Sequence, residues 1–251
     1  MKLSKVFAAA LVAWMIAPAS AQQITVAAAA DLNFALKDLA QKYQAKTGNT
    51  VTLTFGSSGN LFTAIENGAP YDLFFSADIE YPKKLSAEGL VLTDTLYEYA
   101  VGKLVLWAPT NSPLDVQQGF GILTDARVRK IAIANPKHAP YGRAAEEALR
   151  SAGVYDRVRD KLVLGENISQ TAQFVESGNA DVGLLALSLA LSPAMAGKYS
   201  LVPEKLYAPL RQAAVVLKSS SRLQAAREFL KFIQSAEGRD VLNRYGFGAA
   251  R

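Results

Sequence analysis

The chain has 251 residues, half of them hydrophobic, with 27 Lys+Arg against 22 Asp+Glu, one histidine and no cysteine. That composition excludes a disulfide framework, a thiolate site and a histidine-rich metal centre. The basic excess is small and scattered among acids, which excludes a nucleic-acid surface, since that needs Lys and Arg gathered on one face.

The chain opens with Lys2 and Lys5, then an apolar run over 6–17 and the small residues Ala19, Ser20 and Ala21. This is the pattern of a secretory signal peptide over 1–21, cleaved near Ala21/Gln22. The apolar run is too short to span a bilayer comfortably, and without cysteine there is no lipid anchor. Loss of Lys2 and Lys5 takes the basic count from 27 to 25 against 22 acids, a net charge of +3. About 230 residues remain, enough for one large or two small domains.

Beyond the leader, short β-type runs alternate with helical ones. Strands are expected over 24–28, 50–55, 72–76, 103–108, 130–134, 181–187 and 212–217, most of them apolar throughout, as strands covered on both faces are. Leu32, Leu36, Leu39 and Tyr43 form one helical stripe. Leu61 and Ile65 mark a shorter helix stopped at Asn67-Gly68. Helices follow around Ala144–Leu149 and Ala172–Val175, and two more close the chain over 222–234 and 235–245, with Ser235 as start and Gly246 as stop signal. Strand–helix alternation predicts parallel α/β sheets with helices on both faces. The stretches "LYEYAVGK" (96–103) and "LYAPLRQ" (206–212) read as chain crossings. They divide the mature chain into a lobe of 22–101 plus 212–251 and a lobe of 102–211.

Four strand-to-helix junctions carry small or hydroxyl-bearing residues: Ala29-Ala30-Asp31, Gly56-Ser57-Ser58-Gly59-Asn60, the loop from Asn135 to Gly142, and Gly165-Glu166-Asn167-Ile168-Ser169. A helix N-terminus offers unpaired N–H groups and about half a positive charge. Several converging ends make an anion site without lysine or arginine. Neutral donors suit a fully deprotonated oxyanion, whose oxygens only accept. Ser, Asp and Asn at such places are also ordinary helix caps, so each junction alone has two readings. An enzymatic reading of Ser57-Ser58 has less behind it. A nucleophile elbow needs G-x-S-x-G, Asn60 stands where the last glycine should be, and the single histidine, His138, lies in a loop.

The stretches "AAADL" (28–32), "FGSSGNL" (55–61), "NGAPYDLFFSAD" (67–78), "KLVLWAP" (103–109), "IANPKHAPYG" (133–142), "GNADVG" (178–183) and "RYGF" (244–247) run in order through nearly the whole mature chain. Together they resemble the periplasmic molybdate-binding proteins that serve bacterial ABC importers. The resemblance implies a two-lobed periplasmic binding protein of the type with two crossing segments as hinge, each lobe a mainly parallel sheet flanked by helices. It implies a monomer without catalytic activity or cofactor that captures molybdate or tungstate in the periplasm and passes it to a membrane permease. No protein–metal bond is implied: hydroxyls and backbone amides hold the oxyanion. Carried over by position, the binding residues are Ser58 with Ser57 beside it, Tyr141, Ile168, and Ala30 and Asp31 at the first junction. Two positions depart. Ala186 stands where some members supply a tyrosine, and Tyr141 fits the branch that places it in the "AP-Y-G" loop. Asp31 stands where Ser, Thr or Asn is usual, and a carboxylate facing a dianion is repulsive by several kcal/mol if unscreened at short range. Three readings are open for it: a cap on the amides of Asn33 or Phe34, a protonated donor, or an acceptor for a ligand that brings its own proton. A binding protein for another oxyanion or a small organic ligand, or a secreted serine hydrolase using Ser57 or Ser58, are the alternatives.

Overall fold

The computed structural model describes residues 22–250; the expected signal peptide lies outside them. Among these residues ten strands form two five-stranded sheets. The first holds β1 (Gln23–Ala29), β2 (Thr50–Gly56), β3 (Leu73–Ser76), β4 (Tyr97–Gly102) and β10 (Leu210–Val216), in the order β2-β1-β3-β10-β4. The second holds β5 (Leu104–Pro109), β6 (Ile131–Ala134), β7 (Leu162–Gly165), β8 (Val182–Ala186) and β9 (Gly197–Leu201), in the order β7-β6-β8-β5-β9. In each sheet one strand is reversed. β10 is antiparallel to both β3 and β4, and β5 to both β8 and β9, while the remaining pairs are parallel. Each lobe is therefore a mainly parallel sheet.

The central strands β3, β6 and β8 are buried at every residue, which explains their unbroken apolar sequence: helices cover both faces. These helices are α1 (Asn33–Thr47), α2 (Ser58–Glu66), α3 (Glu80–Ala87), α4 (Pro140–Ser151), α5 (Tyr155–Val158), α6 (Ile168–Glu176), α7 (Leu187–Ala190), α8 (Leu223–Gln234) and α9 (Ala236–Arg244). Leu36, Leu39 and Tyr43 are the buried stripe of α1. Tyr43 packs edge-on to Phe229 of α8, with ring centroids 5.1 Å apart. The end of the chain thus returns to the first lobe.

Two strands, β4 and β9, lie outside those expected from the sequence, and β7 is implied there only by the junction at Gly165; all three are sheet edges. The segment containing Tyr97, Tyr99 and Gly102 is the edge strand β4, paired to β10 with Leu210 opposite Gly102. The passage to the second sheet takes one residue, Lys103, and the return runs over 202–209. β9, sequence GKYSL, is half-exposed and polar; β7 is short and half-buried. Both outer positions bury one face at most; β9 shows this as polarity, while β7 keeps the apolar sequence LVLG with Leu164 exposed.

Candidate functional site

β1, β2, β6 and β7 each end at a helix start, and the four starts face one another across the line where the lobes meet. β1 leads through a single 3₁₀ turn (Ala30–Leu32) into α1; β2 leads through Ser57 into α2. β6 leads through residues 135–139 into α4, and β7 through Glu166 and Asn167 into α6. Ala30, Asp31, Ser57, Ser58, Tyr141 and Ile168 all line the cleft between them, with Ala29, Gly56, Ala77, Ala139 and Pro140 completing its walls. The cavity left between these atoms is about 10 Å³, on the order of a single water and far below the roughly 300–1,000 Å³ of sites for drug-sized ligands.

The donors follow from helix geometry. Ser58 and Ile168 are the first residues of α2 and α6, and Tyr141 is the second of α4, after Pro140, which has no N–H to give. The amides of such positions have no partner in their own helix, and the three macrodipoles add partial positive charge at the same place. Ser58 adds a hydroxyl. It is fully buried and accepts from the Ala77 amide at 2.9 Å, which leaves its hydrogen to be given to a guest. No lysine or arginine lines the cleft. Among the described residues no three His, Cys, Asp or Glu side chains converge as metal ligands.

Ser57 plays a different part. It caps α2, its oxygen accepting from the Asn60 amide at 3.4 Å, and it shares a 2.8 Å hydrogen bond with Nδ1 of His138 in the other lobe. Nε2 of His138 stands 3.5 Å from Oε2 of Glu166. No local pattern predicts this contact, since 81 residues separate Ser57 from His138. The serine, histidine and glutamate lie in a row, but the serine hydroxyl is a helix cap buried at the lobe junction, and the Gly59 amide donates to the His138 carbonyl beside it at 2.9 Å. The group ties the lobes together.

Asp31 does not cap α1. The residue before that helix, Leu32, carries no side-chain cap bond, and Oδ2 of Asp31 instead accepts from Nε2 of Gln212 on β10 at 2.7 Å. Asp31 is buried, and its other oxygen, Oδ1, has no hydrogen-bond partner. Gln212 is fully buried as well. Its Oε1 accepts from the Tyr99 hydroxyl at 2.8 Å, and its Nε2 also donates to the Tyr141 hydroxyl at 3.2 Å. Burial pushes the Asp31 carboxyl up to about 6, against the opposing pull of Gln212, Tyr141 and nearby backbone amides. Burial and the neighbouring Asp31 charge push the Tyr99 and Tyr141 phenols well above their ordinary range, so both remain neutral donors. Neither Gln212 nor Tyr99 was singled out from the sequence. The available signal was a glutamine in a run of strand residues, Gln212-Ala-Ala-Val-Val, where apolar side chains are the rule.

Further contacts close the lobes on one another. Ser169 of α6 donates to the Ala30 carbonyl at 2.9 Å, Ser188 of α7 to the Asp31 carbonyl at 2.7 Å, and Arg143 of α4 pairs with Asp78 at 2.5 Å. Arg143 therefore bridges the lobes. A larger crevice on the hinge side is lined by Asp78, Glu80, Arg143, Glu147 and Arg211 among others. Its arginines are already paired, Arg143 with Asp78 and Arg211 with Glu98, and Glu80 is paired with Lys83.

The description bacterial extracellular solute-binding protein matches residues 24–248. The chain belongs to that family. It is 40% identical over 240 residues to the molybdate-binding protein ModA of Rhodobacter capsulatus, covering 96% of this chain and 94% of that protein. It is 37% identical over 232 residues to ModA of Azotobacter vinelandii, covering 92% and 91%. Among solved structures, the periplasmic molybdate-binding protein of Azotobacter vinelandii superimposes with a TM-score of 0.86 at 32% identity, over 91% of this chain and 100% of that one. Two sheets joined by two crossings are thus the family's two-lobed architecture, and the relatives are binding proteins.

Proposed function

We propose that this protein captures molybdate in the periplasm, after export directed by residues 1–21, and delivers it to the membrane permease of an ABC importer. Tungstate, nearly the same size, binds alike. One observation carries the reading: the cleft presents first-turn amides from three helices and the Ser58 hydroxyl, whose acceptor side is already occupied, and no formal cation. Such a set fits a small, fully deprotonated tetrahedral anion. Hydrogen phosphate brings protons that meet donors, at a cost of about 1–3 kcal/mol each. Sulfate is smaller than molybdate and leaves longer, weaker hydrogen bonds. The kinship to ModA proteins supports the same substrate.

Ala30, Asp31, Ser57 and Ser58 come from the first sheet's junctions, and Tyr141 and Ile168 from the second's. The anion bridges two lobes, and its binding free energy favours their closed arrangement, the shape a permease reads. No chemical step occurs. A thermal-shift panel with molybdate, tungstate, sulfate, phosphate and thiosulfate tests this, because a ligand at a hundred times its dissociation constant adds about 2.7 kcal/mol. Stabilisation by molybdate and tungstate is expected. A response to phosphate alone, or to none of the five, refutes it.

A further inference from the structure

We propose that Asp31 holds the oxyanion through a proton, a single hydrogen between its Oδ1 and one oxygen of the guest, so that the site takes up one anion and one proton together. This rests on the cleft binding an oxyanion as proposed above.

The geometry leaves one place for that hydrogen. Asp31 is 1% exposed and lines the cleft. Its Oδ2 is occupied by Gln212, while Oδ1 is buried without a partner. A buried polar atom left unpaired is costly, and natural sites fill it. Donors surround the rest of the guest, and Oδ1 of an ionised Asp31 can only accept. A fully deprotonated oxyanion has no hydrogen to offer it, so without a proton two acceptors face each other.

The direction of the network says which oxygen carries the hydrogen. The Tyr99 hydroxyl donates to Oε1 of Gln212, which turns Nε2 toward Asp31 and Tyr141. Oδ2 is therefore the accepting end, and Oδ1 the end that can bear a proton. The groups facing the carboxyl are neutral: Gln212 from β10, Tyr99 from β4 and Tyr141 from α4, with Ser188 of α7 on the main-chain carbonyl. No lysine or arginine holds the carboxylate ionised. Across the cleft, the titratable groups are His138, bonded to Ser57, and Glu166 behind it; Arg143 and Asp78 are paired with each other outside the lining. Burial already raises the Asp31 carboxyl to about 6, and a nearby anion pushes it the same way. Above that pH the free site is ionised, so binding draws one proton from water and release returns it. Because the bound form holds the extra proton, affinity is highest at low pH and falls as pH rises.

The test is calorimetric titration with molybdate between about pH 6.5 and 8.5, where molybdate itself holds no proton, in buffers of different protonation enthalpy. Close to one proton taken up per anion is expected at pH 7.5, with the dissociation constant rising up to about tenfold per pH unit. Asp31→Asn offers a permanent N–H donor at the same place. It should bind without proton uptake and with a dissociation constant flat in pH. His138→Gln should keep the uptake, which separates the histidine's protons from those of Asp31. Wild-type binding with no proton uptake overturns the proton bridge and leaves the molybdate reading intact. A pH slope retained in Asp31→Asn, or lost in His138→Gln, overturns it too. Should Asp31→Asn not fold, the wild-type proton count decides alone. No molybdate binding at any pH sinks both the reading of the cleft and the bridge.

Discussion

Replacing Asp31 by asparagine should stabilise the ligand-free protein, and by an amount that depends on pH. The carboxyl is raised from 3.8 to about 6 by burial. A group whose folded-state value lies above its unfolded value holds more protons folded than unfolded, so stability falls as pH rises through that window. The loss begins near pH 4, is complete above about pH 6, and at about 1.36 kcal/mol per pH unit comes to about 3 kcal/mol. Asparagine retains an oxygen for Nε2 of Gln212 and carries no charge, so the variant escapes the loss. At pH 7.5 it should melt roughly 6–12 °C above wild type, at about 2–4 °C per kcal/mol for a chain of this size. At pH 4 the two should coincide. Scanning calorimetry of both proteins from pH 4 to 8 without oxyanions measures the gap. A gap that stays constant with pH, or a variant less stable than wild type at pH 7.5, would refute the reasoning, because a buried ionised carboxylate would then not be what separates them.

Ser58→Ala should weaken molybdate binding more than tenfold, since it deletes a donor and strips the Ala77 amide of its acceptor, a buried loss of about 1–3 kcal/mol; an unchanged dissociation constant removes Ser58 from the site. Gly59→Ala probes closure. A methyl there meets the His138 carbonyl at 2.7 Å and the Tyr81 hydroxyl at 2.8 Å, so the lobes cannot seat. Affinity should drop at least tenfold, the ligand-free melting temperature should fall as the interlobe contacts are lost, and small-angle scattering with molybdate should show a more open molecule than wild type. Full compaction in Gly59→Ala contradicts that account.

The sequence alone determined the alternation of strands and helices, because a strand covered on both faces must be apolar along its length and a helix on a sheet must carry a stripe. β3, β6 and the Leu36–Leu39–Tyr43 face of α1 follow directly. It also marked the four junctions by their small and hydroxyl-bearing residues, and the family resemblance brought forward Ala30, Asp31, Ser57, Ser58, Tyr141 and Ile168. Only the tertiary structure decided what those side chains do. Asp31 has capping chemistry next to a helix start, yet its carboxyl turns to Gln212, 181 residues away. Ser57 and Ser58 are neighbours in the chain, yet one hydroxyl is spent on a cap and on His138 and the other is left to donate. Edge strands β4 and β9 escaped notice because half of each is wet. Local pattern reports how a residue meets its own backbone and its own layer; which acceptor lies opposite a hydroxyl or a carboxyl is set by residues brought in from the other sheet, and that pairing exists only once the two lobes close.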